Sequence, residues 1–71
     1  MESSRAATTT EITVVGGDRY RVAGMTEEVE RAILNADRGS IMEFAWFVEV
    51  DTGDRVGINP KCVVMLRASG S

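Results

Sequence analysis

Three groups of residues in this chain are of a kind that does chemistry, and each meets a simpler account. Cys62 is the sole thiol, and the sequence holds no histidine to deprotonate it. A cysteine leading into "VVML" reads as a small core residue rather than a nucleophile. Gly16-Gly17 would cradle a phosphate only if a helix began at once, whereas a strand-like "RYRV" follows. Glu49, Asp51 and Asp54 lie close together, as carboxylates for acid–base work must, but they surround "DTGD", where turns and strand ends place acidic groups in water. The alternating Asp/Asn ladder of a calcium loop, closed by a bidentate Glu, is missing. With one cysteine and no histidine, neither a zinc site nor an internal disulfide can be assembled. The expectation is a non-enzyme with no catalytic residue, no cofactor and no metal.

Period and punctuation define the elements that carry these residues. "TEITVV" alternates with Ile12 and Val14 inward and Glu11 and Thr13 outward; "RYRV" does the same with Tyr20 and Val22 inward and Arg19 and Arg21 outward. Gly16-Gly17-Asp18 joins them as a tight hairpin. Thr26 is placed to cap a helix through "EEVERAILNAD", with Glu27 and Glu28 at its positive end and Gly39 closing it in the left-handed conformation. Met25, Val29, Ala32, Ile33 and Ala36 fall within an arc of about 100°, the width of a core-facing stripe. Leu34 lies opposite, among Glu27, Glu30, Arg31 and Arg38.

The densest apolar run, "IMEFAWFVEV" at 41–50, reads as a strand. Alternation assigns Met42, Phe44, Trp46, Val48 and Val50 to one face, taken as the core face, and Ile41, Glu43, Ala45, Phe47 and Glu49 to the other. "DTGD" then turns through Gly53 into a short strand with Val56 and Ile58 inward. Pro60 cannot continue that ladder, so "INPK" is a corner, and "CVVMLR" returns with Cys62, Val64 and Leu66 on one face and Val63, Met65 and Arg67 on the other. The order is ββαβββ: an α+β domain with one helix on an antiparallel sheet that curls toward a partial barrel. Residues 1–8 and 68–71 are read as frayed tails and 9–67 as the single domain.

"GINPKCVVML" is similar to the closing segment of SH3-like barrels, in which a glycine-led strand meets a proline, makes a 3₁₀ turn and enters the last strand. The similarity spans about ten residues and implies that corner geometry. The aromatic residue with which SH3 domains take proline-rich peptides would fall near Val63, so that binding mode is not implied.

Composition narrows the function classes. Eight Lys and Arg stand against eleven Asp and Glu, for a net charge of −3, which argues against purely electrostatic binding to nucleic acid or anionic membrane. No run approaches the roughly 18 apolar residues of a membrane span and "MESSRAATTT" has no apolar leader core, so a cytoplasmic protein is expected; a lone thiol fits a reducing compartment. Arg outnumbers Lys seven to one, as in chains from GC-rich bacterial genomes. A domain this small buries only about 60% of its unfolded surface and reaches roughly 3–5 kcal/mol of net stability on its own. Association with a partner is the remaining source of support.

Two surfaces compete for that role. Ile41, Phe47, Val63 and Met65 are expected on the outer face of the sheet as a patch for a second copy or another protein, with Leu34 as a separate contact, giving a self-associating regulatory module. The alternative is a nucleic-acid platform on the same face, with Arg19, Arg21, Arg55, Lys61 and Arg67 for phosphates and Phe47 for stacking, opposed by Glu11, Glu43 and Glu49. A sheet curled far enough to bury both faces of 41–50 in one chain is the third account.

Overall fold

The computed structural model describes residues 9–39 and 43–68. Five strands and one helix run in the order β1 (Thr9–Val14), β2 (Arg19–Ala23), α1 (Thr26–Asp37), β3 (Ala45–Val48), β4 (Arg55–Ile58), a 3₁₀ turn (Pro60–Cys62) and β5 (Val63–Ala68). They form an antiparallel sheet β2-β1-β5 and an antiparallel ribbon β3-β4, the α+β, ββαβββ architecture that the sequence predicts. A bridge between Val22 and Glu49 joins the two sheets, reinforced by the Val50 N–H donating to the Arg21 carbonyl at 2.8 Å.

The first hairpin follows its alternation. Gly16 and Gly17 take φ of 102° and 96°, the region glycine enters without steric cost, and Ile12 and Val22 are fully buried while Arg19 and Arg21 are exposed. Helix α1 packs Val29 and Ile33 into the core, with Ala32 and Ala36 beside them, and leaves Leu34 exposed as its angular position requires. Its start differs from expectation. Thr26 is the first helical residue rather than the cap, because its hydroxyl is turned toward the buried Thr10 hydroxyl 3.3 Å away. The Glu28 carboxylate instead accepts from the Met25 N–H at 3.0 Å. At the far end the Arg38 N–H donates to the Leu34 carbonyl at 3.1 Å and the Gly39 N–H to the Ala36 carbonyl at 3.2 Å, which satisfies two of the last carbonyls.

The 3₁₀ turn sits where the resemblance to SH3-like barrels placed it, started by the Asn59 side chain accepting from the Lys61 N–H at 2.9 Å. Past it, β5 departs from strict alternation. Thr13 pairs with Met65 but Val14 pairs with Val63, so Val64 is the extra residue of a bulge and stands exposed. This corrects two assignments: Val63 is half-buried against the core instead of outward, and Val64 is outward instead of inward.

The larger correction concerns β3, whose faces are reversed. Ala45 and Phe47 are buried, Phe47 to 8% exposure, whereas Phe44, Trp46, Val48 and Val50 are exposed. The turn dictates this. Glu49 donates its N–H to the Asp54 carbonyl at 2.8 Å, enclosing a loop of four residues, 50–53, with Gly53 left-handed at φ 78°. A loop of even length pairs odd residues of β3 with even residues of β4, here Ala45 with Ile58 and Phe47 with Val56. Once Val56 and Ile58 face the core, Phe47 must as well. The core is then Ile12, Val22, Val29, Ile33, Ala45, Phe47 and Ile58, too small a space for the bulkier face of β3.

Candidate docking face on the β3–β4 ribbon

The residues expected to form one docking patch are dispersed. Phe47 is in the core and Val63 packs against it; Met65 is exposed on the outer side of the three-stranded sheet, and Leu34 is exposed on the back of α1. Ile41 lies outside the described residues, as does Met42. The basic set is only partly brought together. The register places Arg21 and Arg67 on either side of Glu11, and Arg19 and Met65 on either side of Thr13, so three arginines share one outward face. Arg21 is engaged by Asp51 at 2.8 Å. Lys61 lies elsewhere, 3.8 Å from Asp37 at the end of the helix. With Phe47 buried, it offers no ring for base stacking.

The reversal of β3 builds a different surface. Phe44, Trp46, Val48 and Val50 are 47%, 55%, 45% and 41% exposed. The Phe44 and Trp46 rings meet edge to face with centroids 6.2 Å apart, the arrangement aromatic quadrupoles favour. Both lie over Gly57, the cross-strand partner of Trp46: a Cβ built there would stand 3.0 Å from Trp46 Cη2 and 3.1 Å from the Phe44 ring. The glycine is therefore the floor of an aromatic cluster. Arg55, opposite Val48, holds its guanidinium carbon 5.2 Å from the Trp46 ring centroid, an attraction worth about 0.5–1 kcal/mol at an exposed site. Sequence reading missed this surface by reading face size as burial; the signal that finds it is the parity of the 50–53 loop.

A groove of about 420 Å³ opens beside β4, between Val56, Gly57, Ile58, Asn59 and Cys62 on one hand and Val14, Val15 and Tyr20 on the other. Cys62 is half-buried and free. Among the described residues no group of three His, Cys, Asp or Glu is placed to hold a metal, and no helix is long and apolar enough to cross a membrane. Compared with models of known families, with curated proteins and with solved structures, the chain matches none.

Proposed function

We propose that this chain is a small non-enzymatic binding module that docks a protein partner, a second copy included, through the outer face of the β3–β4 ribbon. The observation that carries the reading is the exposure of Phe44, Trp46, Val48 and Val50 on that ribbon in a domain with so few buried apolar side chains. The four leave on the order of 300–400 Å² of apolar surface in water, the size at which a patch on a monomer is often functional. Aromatic rings fixed over Gly57 lose little rotamer freedom on contact, which is what anchor residues require. Arg55 beside the rings selects for a carboxylate or carbonyl at the matching position of the partner. A free thiol at Cys62 accords with a cytoplasmic setting.

The test is site-specific photo-crosslinking in the cell of origin. A photoreactive residue at Val48 is expected to yield adducts that the same residue at Leu34, on the opposite surface, does not. Equal yields from the two positions would defeat the reading.

The outward placement of Arg19, Arg21 and Arg67 on one sheet supports a second reading, a weak nucleic-acid surface. It is disfavoured by the engagement of Arg21 with Asp51, by the Arg55 contact with the Trp46 ring and by the net charge of −3. Single-stranded oligonucleotide binding that falls steeply with added salt supports this reading, and no binding at low salt dismisses it.

A further inference from the structure

We infer that β4 is a pairing edge for a second copy of this chain, forming a two-fold dimer in which two ribbons merge into one sheet, β3-β4-β4-β3. Among the described residues β4 has one strand neighbour, β3. In an antiparallel ladder hydrogen-bonded and non-hydrogen-bonded pairs alternate. Because Glu49 and Asp54 are a bonded pair, Phe47 with Val56 and Ala45 with Ile58 are bonded as well. The N–H and C=O groups of Arg55 and Gly57 therefore point away from β3, and both residues are exposed. Such a row of free donors and acceptors is a template for another strand.

The geometry selects a second β4 as the occupant. Pairing Arg55 with the partner's Gly57, and Gly57 with the partner's Arg55, satisfies all four groups of each edge in one two-fold register centred on Val56. On the outer side Arg55 of each copy lies across from a glycine that carries no side chain of its own, beside the Trp46 and Phe44 rings that cover it. On the inner side the two Val56 side chains meet, each beside the groove that its own chain's Val56 lines. Both ends of the pairing stop together, since Pro60 ends the strand on one side and the 50–53 turn on the other. The ladder pairs three residues of each strand, 55–57, a contact smaller than the about 1,200–2,000 Å² of stable interfaces, so a weak dimer is expected that forms only as the protein concentration is raised. The dimer uses the edge of the ribbon and leaves Phe44, Trp46 and Val48 outward. It would present the docking face twice, and it stands or falls independently of that face.

The test is sedimentation velocity on the full chain, with amide hydrogen exchange by NMR at a concentration below and one above the transition. Expected is a monomer–dimer equilibrium in which the Arg55 and Gly57 amides slow at least tenfold in the dimer, while Val56 and Ile58 are protected at both concentrations. Arg55→Pro, which deletes one outward donor and no β3 bond, is expected to weaken the dimer at least tenfold; should it unfold, the exchange data on the unaltered chain decide. A monomer at every concentration, or a dimer in which the Arg55 and Gly57 amides exchange as fast as in the monomer, would overturn the inference.

Discussion

Replacing Phe47 and Trp46 by alanine, one at a time, separates the two faces of β3. Phe47 is 8% exposed and belongs to the core cluster with Ile12, Val22, Val29, Ile33, Ala45 and Ile58. Deleting a buried phenylalanine ring costs about 3–5 kcal/mol, because the transfer energy of the ring is lost and a cavity remains. The net stability of a domain this size is itself roughly 3–5 kcal/mol. Phe47→Ala is therefore expected to sit at or beyond the midpoint of unfolding in water at 25 °C. Trp46 is the larger residue but already 55% exposed; its removal leaves no cavity and forfeits only the contacts with Gly57, Phe44 and Arg55, about 1–2 kcal/mol. Urea unfolding followed by far-ultraviolet circular dichroism, at concentrations too low for association, reads both values without relying on the tryptophan signal. A larger loss for Trp46→Ala than for Phe47→Ala would refute the assignment of faces.

Other substitutions probe the supporting details. Thr13 Oγ1 is buried with no hydrogen-bond partner among the described residues, so Thr13→Val is expected to be neutral or to raise stability by up to about 1 kcal/mol in the same urea assay. Thr10 is fully buried and donates to the Gly24 carbonyl at 2.9 Å; Thr10→Val leaves that carbonyl unpaired and is expected to cost about 1–3 kcal/mol. Gly57→Val places a branched side chain where the Trp46 and Phe44 rings lie, and is expected to displace the indole, seen as a change in near-ultraviolet circular dichroism. Gly53→Ala forces a Cβ into the left-handed conformation at φ 78° and is expected to lower the urea midpoint by about 1 kcal/mol of stability.

The parts of the fold legible in the sequence were those in which one local signal decided. The Gly16-Gly17 hairpin, the Val29 and Ile33 stripe with Leu34 outside it, and the stop at Pro60 each follow from backbone chemistry or a clean period. β3 was not legible from its own residues, because both faces are apolar and hydrophobicity alone does not rank them. Its neighbours held the answer. Val56 and Ile58 were correctly read as inward, and an even loop couples their face to Phe47. The bulge at Val64 had no comparable sign: nothing in "CVVMLR" distinguishes a regular strand from one with an inserted residue. Both corrections moved candidate site residues, taking Phe47 and Val63 off the surface and putting Phe44 and Trp46 on it.

Trp46 is the only tryptophan in the chain, which makes acrylamide quenching of its fluorescence the most direct check on where the bulky face of β3 lies. In a dilute, monomeric sample the account predicts a red-shifted emission that acrylamide quenches readily, short of free indole because one side of the ring rests on Gly57 and Phe44. A blue-shifted emission that resists the quencher under those conditions would contradict it.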